Sequence, residues 1–227
     1  MPTKILPKIA GLAALVLLTA CAPEVSSSLY LSDLGKAIKD RTPVVVPAVL
    51  RIPQGSEDEC NKDMQLLITN LSAIAPTTGK GKCIDKNGDT LAEIETSLVI
   101  VRADQAGEVP QPNLFVVELT NEDNGTNLTL HLLKPIGEIV TAMSAGQDSV
   151  STDFDPTVFL LRIENDIEDP ALLEPDHVFF DDEPALGPDQ TVTLERRRGI
   201  EVRFSDVASV VVERGGSYRF ATLHDPL

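Results

Sequence analysis

Met64, Leu67, Ile68 and Leu71 recur at spacings of three and four residues, which places one apolar face along a helix. Ser56 precedes Glu59 by three positions, the spacing of a capping box, and Pro76 stops the pattern. An amphipathic helix is therefore predicted near 57–73. Leu34, Ala37 and Ile38 behind the cap pair Ser32-Asp33 predict a short helix over 33–40. Between them, Pro43 to Pro53 is extended and Val-rich, and Pro47 inside it predicts an edge strand or a bulge.

From Cys83 onward the pattern changes to strands. Asn87-Gly88 is a two-residue hairpin signal. Predicted strands follow at 91–102, 114–119, 128–133, 158–163, 177–180, 191–194 and 200–204, most bounded by Gly, Pro, Asn or Asp. Phe115 to Asn121 is echoed by Phe159 to Asn165, which reads equally as a duplicated hairpin or as shared strand-to-turn chemistry. Residues 137–153 are undecided, with Ile139, Val140 and Met143 able to begin a short helix. Val207, Val210 and Val211 share one helical face ahead of Gly215-Gly216, while their β-branching favours a strand. A final strand is predicted over 217–223. The fold class expected is α+β: mainly antiparallel strands, as a sandwich-like or curved sheet, with one amphipathic helix and one or two short ones.

The first 21 residues stand apart from this pattern. Lys4 and Lys8 precede an apolar run, Ile9 to Leu18, too short to cross a bilayer but of the length of a secretory signal. Leu18-Thr19-Ala20-Cys21 resembles the lipobox of bacterial lipoproteins. That resemblance implies cleavage before Cys21, diacylglycerol on its thiol and an acyl chain on the new amine; a plain cleaved signal with a free Cys21 is the alternative. Two or more acyl chains hold a protein stably on a membrane. Ala22, in place of the Asp that retains enterobacterial lipoproteins at the inner membrane, favours the outer membrane by the same resemblance. The expected organisation is a signal peptide at 1–20, a lipidated tether at 21–31, and a single envelope domain at 32–227, or two packed subdomains dividing near 104–113. Pro23 and Ser26 to Ser28 suit a spacer.

The net charge of −16 becomes two units more negative without Lys4 and Lys8. That argues against nucleic acid and against adhesion to anionic lipid, both of which select basic patches. With no Trp, two Tyr and seven Phe, the core must be mostly Val, Leu and Ile. Low aromatic content also weakens carbohydrate stacking. Cys60 and Cys83 are expected to pair in an oxidising compartment, stabilising the fold by roughly 3 kcal/mol, with two buried thiols as the alternative.

Candidate chemistry is sparse. His131, His177 and His224 have no Gly-x-Ser-x-Gly elbow to serve. Asp176-His177 with Asp181, Asp182 and Glu183 is the densest group of ligand types, in which His177 and Asp181 are weak metal candidates on one side of a strand. Solvated acids at a strand end are the commoner reading. Asp85 to Asp89 lacks the Gly and Glu of an EF-hand and reads as a hairpin turn. Arg196, Arg197 and Arg198 form a basic tip that could dock an anionic partner such as lipopolysaccharide, or be a solvated turn. No catalytic residue and no cofactor are predicted beyond the lipid on Cys21.

Ser28-Leu-Tyr30-Leu-Ser32-Asp33, Thr42-Pro43, Ile52-Pro53, Gly81-Lys-Cys83 and Arg197-Arg198 before Phe204-Ser205-Asp206-Val207 resemble a group of small uncharacterised lipoproteins in proteobacterial genomes and their phages. The resemblance implies no activity. The functional expectation is a non-enzymatic binding or structural lipoprotein, partnered by the membrane and by an envelope protein or anionic glycolipid. A prophage-encoded factor that modifies the host surface or excludes superinfection is the alternative. A hydrolase or metal-dependent enzyme is third.

Overall fold

The structure is a computed structural model and describes residues 22–110, 112–146 and 156–224. The signal peptide, Cys21 and the end of the undecided 137–153 segment lie outside the described residues. Strand β1 (Glu24–Tyr30) leads to helix α1 (Leu31–Asp40), strand β2 (Val44–Gln54) and helix α2 (Glu57–Ser72). Strands β3 (Thr77–Lys86) and β4 (Asp89–Arg102) form a hairpin. A 3-10 segment, Ala103–Glu108, precedes a second hairpin, β5 (Phe115–Glu122) and β6 (Gly125–Leu132), and helix α3 (Ile136–Met143). Then follow β7 (Val158–Glu164), β8 (Ala171–Pro175), β9 (Val178–Phe180), β10 (Glu183–Ala185), β11 (Val192–Leu194), β12 (Gly199–Phe204), helix α4 (Asp206–Glu213) and β13 (Ser217–His224).

All these strands belong to one curled sheet in the order β10-β9-β12-β7-β1-β2-β4-β5-β6-β13-β8-β11, with β3 on the first half of β4. The sheet is mixed. β1 runs parallel to β7, and β4 runs parallel to β5. The expectation of a curved sheet therefore holds, while that of mainly antiparallel pairing gains two parallel joints. Sequence periodicity cannot distinguish the two, because both alternate side chains at period two. The sheet and its core run through both halves of the chain, and residues 103–108 simply join parallel β4 to β5.

One expectation is overturned outright. Residues 24–30 are no spacer; they form the strand near the middle of the sheet, paired along its whole length with β7 and over Glu24 to Ser27 with β2. Val25 and Leu29 are fully buried, and a buried backbone in this position must be paired. The edge-strand prediction for β2 also fails, since β2 lies between β1 and β4. Its prolines are tolerated because β1 pairs only with Ala48 to Arg51, so Pro47 and Pro53 fall just beyond that ladder.

Helix α2 matches its prediction. The Ser56 hydroxyl accepts from the Glu59 amide, and Leu67, Ile68 and Leu71 enter the core. Asn87 (φ 58°) and Gly88 (φ 91°) are both left-handed, as the two-residue turn between β3 and β4 requires. α1 begins two residues early, because Ser32 uses its amide and hydroxyl on the Asp166 carboxylate and caps nothing. α4 is a helix capped by Ser205, but its buried face is Ala208, Ser209 and Val212. Val207 is 76 % exposed and Val211 40 %, so the valine face turns outward.

Candidate ligand-binding trough

Curling gives the sheet an inner face around the core and an outer face that is open to solvent except over β4 and β5, where Val109 packs with Val99, Val101 and Val116 in a second buried cluster. On β1, Glu24, Ser26, Ser28 and Tyr30 alternate outward while Val25 and Leu29 point in. Two serines in mid-sheet leave a depression between larger neighbours. Pro47 and Val49 of β2 rise on one side, with Leu160 and Arg162 of β7 and Glu201 of β12 on the other. Ile84, Asp85 and Lys86 of the curled-over β3 close one end. The result is a trough of about 700 Å³.

A charge ladder crosses that closed end. Glu24 of β1 opposes Arg51 of β2, Arg51 opposes Glu93 of β4, and Glu93 opposes Lys82 of β3. Opposed side chains in neighbouring strands lie close enough to pair, and here every neighbour has the opposite sign. The Arg51 guanidinium pairs with Glu24, donates to Glu93 at 2.8 Å and to the Ser26 hydroxyl at 3.1 Å. Lys86 reaches Glu24 at 2.5 Å and Lys82 reaches Glu93 at 3.0 Å. Glu24 is 6 % exposed, and two cations, Arg51 and Lys86, face it there. Partial burial alone would raise the Glu93 carboxyl pKa. Hydrogen bonds from Lys82 and Arg51, with their charges, outweigh it and hold the group below its ordinary value.

The trough's lining is electrically balanced, with Glu24, Asp85 and Glu201 against Arg51, Lys86 and Arg162. In a chain of net charge −16 this is a neutral island. Gly199 sits on β12 beside Glu164 and Arg162; a β-carbon there would come within 3.0 Å of Glu164 Cγ and 3.1 Å of the Arg162 guanidinium. The absent side chain leaves Arg162 room to lie along the rim.

The residues singled out by sequence lie elsewhere. Cys60 of α2 and Cys83 of β3 are disulfide-bonded, with Cα atoms 6.0 Å apart. Arg196, Arg197 and Arg198 form the exposed turn between β11 and β12. Its shape is set by Asn165 at the end of β7: the Arg197 amide donates to the Asn165 carbonyl, and the Asn165 amide donates to that of Arg198. Arg196 lies 3.6 Å from Glu168.

His177 and Asp181 flank β9 in left-handed turns and are committed separately. His177 Nδ1 lies 2.8 Å from Asp176, and Asp181 accepts from the Glu201 amide. Their expected common side of a strand is thus lost, because neither belongs to the strand. No group of three or more His, Cys, Asp or Glu placed to hold a metal occurs among the described residues. Asp176 also takes Arg219; partial burial would raise its pKa, but its bonds to His177 and Arg219 and their charges lower it. His224 bridges the Asn124 carbonyl and Glu174, and His131 faces Glu118 at 3.7 Å.

The chain matches the family described as Domain of unknown function (DUF7424) over residues 23–226, a span that includes every strand described above. It belongs to that family. No curated protein and no solved structure matches it. In this DUF7424 chain the trough residues Glu24, Ser26, Ser28 and Tyr30 escaped sequence reading because a Ser-rich stretch imitates a linker. The signal was present as alternation, with Val25 and Leu29 between polar positions.

Proposed function

We propose that this DUF7424 protein is a membrane-anchored envelope lipoprotein that acts as a non-enzymatic binding module, with its outer-face trough taking an extended segment of another envelope protein. The observation that carries the reading is the serine-floored trough itself. Hydroxyls on its floor suit a peptide backbone, Pro47, Val49 and Leu160 suit alternating apolar side chains, and balanced charges at its rim suit a peptide over a simple anion. The trough's own cations favour this reading over an anionic glycolipid there, because Arg51, Lys86 and Arg162 already face carboxylates. The lipobox resemblance supports anchoring through Cys21 with the body outside the cytosol, and the disulfide agrees with an oxidising compartment.

The test is site-specific photocrosslinking of the full chain in its own envelope, with the crosslinker at Ser28 or at Arg197. A discrete protein adduct from position 28 is expected. Adducts from position 197 with none from 28 would move binding to the basic tip, and a lipid or glycan adduct at 28 would overturn the peptide ligand.

A further inference from the structure

We infer that, once anchored, the molecule stands with its α4 end against a zwitterionic bilayer, Val207 and Val211 at the boundary of headgroups and acyl chains and Arg214 at the level of the phosphates. The inference rests on the acylation of Cys21 proposed above. Its starting point is the absence of slack after that residue. Pro23 is buried, and its carbonyl accepts from the Val158 amide at 2.8 Å. Two Cα–Cα steps from Cys21 to Pro23 span at most about 8 Å. The headgroup region on each side of the hydrocarbon core is of similar depth, about 5–8 Å. A body fixed that close to its acyl chains cannot stand clear of the lipid surface. The end of the sheet where β1 starts must meet it.

α4 lies at that end. It follows β12, whose Arg203 opposes Leu160 near the start of β7, and β7 begins beside β1. At its other end the Glu213 carboxylate accepts from the Thr157 amide, one residue before β7. Both ends of the helix thus flank the place where the chain leaves for Cys21. Its outward stripe is Val207, Val211 and Arg214, at i, i+4 and i+7. Apolar side chains followed by a long cationic one match an interfacial helix, whose arginine stem lies in the apolar zone while its head stays with the phosphates.

Two valines bind a membrane weakly alone. The anchor makes their contact intramolecular, so a small affinity suffices. The same end carries exposed cations, Lys134 near Gly215 among them, and an acidic cluster that bears on the choice of lipid. Glu57, Asp58 and Glu59 start α2 there, just past Gln54, which opposes Thr90 at the start of β4. An anionic surface would repel that cluster, and a zwitterionic one would not.

The test uses the full acylated chain in phosphatidylcholine vesicles, with an environment-sensitive fluorophore on Val207→Cys or on Asn124→Cys. Asn124 lies in the β5–β6 turn, at the opposite end of the sheet. The label at 207 is expected to shift to the blue and to be quenched by lipids carrying a quencher below the headgroup, with the label at 124 unchanged. Replacing part of the phosphatidylcholine by phosphatidylglycerol should weaken the effect at 207. Equal, water-like emission at both positions, in protein whose acylation mass spectrometry confirms, would overturn the orientation and leave the anchor standing. An unmodified Cys21 would overturn the anchor, and the orientation with it.

Discussion

Glu24 and Arg51 face each other across β1 and β2, and each is bonded a second time, Glu24 to Lys86 and Arg51 to Glu93. Removing the middle cation leaves Glu24 with Lys86 alone and Glu93 with Lys82 alone, each short of a partner at a poorly hydrated site. Arg51→Leu is therefore expected to destabilise the fold by about 3 kcal/mol, measured by urea unfolding. Combining it with Glu24→Gln should cost less than the sum of the single changes, because the double variant removes the uncompensated charge along with its partner. Strict additivity would mean that the two residues do not act as a pair.

The ladder also sets an acid response. The folded pKa of Glu93 lies below its unfolded value, so its contribution is complete above the ordinary glutamate range and declines as pH falls through the folded pKa. Asp176, held down in the same direction, adds to the same acid-side loss. Urea midpoints measured through the acid range should fall less steeply for Glu93→Gln than for the wild type. An unchanged slope would show that the carboxylate is not linked to folding.

Much of the fold was legible because local rules and tertiary context agreed. The Ser56 cap, the α2 apolar face and the Asn87-Gly88 turn each follow from a few neighbouring residues. What was lost depends on long-range partners. Glu24 to Tyr30 looks like linker until Arg162 and Val49 are known to flank it, and the valines of α4 look like core until Ala208 and Val212 are found there instead. The trough was hidden for the same reason. Its residues come from β1, β2, β3, β7 and β12, so no local window contains it. The three-arginine turn, conspicuous in sequence, proved to be shaped by a distant asparagine.

Asn165 is 1 % exposed; its side-chain amide donates to the carbonyls of Asp169 and Leu194, and its oxygen accepts from the Ile167 amide. Asn165→Ala leaves three backbone groups without partners, at an expected cost of about 2–3 kcal/mol. Amide exchange at Arg196 to Arg198 should accelerate as well, because the turn docks on the residue 165 backbone. Destabilisation with no change of exchange at the turn would show that the side chain does not order it.

The disulfide joins the start of α2 to β3, an edge strand that pairs with β4, packs on α2 and reaches β1 through Lys86 and Glu24. Cys60→Ala with Cys83→Ala is expected to lower stability by about 3 kcal/mol. Exchange should rise first in Thr77 to Lys86, since Gly79, Gly81 and a register shift already weaken that strand. Uniform loosening of the whole sheet would argue against a local staple.

Phe204 lies on β12, third from one end of the strand order, and Phe220 on β13, third from the other; their rings meet at 5.5 Å. Phe159 at 5.7 Å and Tyr218 at 5.9 Å complete the cluster around Phe204. In a chain without Trp, these rings are the largest apolar units available to bridge the two ends. Phe220→Ala should cost about 3–5 kcal/mol, since both the burial and the cavity it leaves count against the fold. Phe220→Leu should cost clearly less. If instead both cost the same, the specific ring contact rather than filled volume closes the sheet, and Phe204→Leu would be expected to match them.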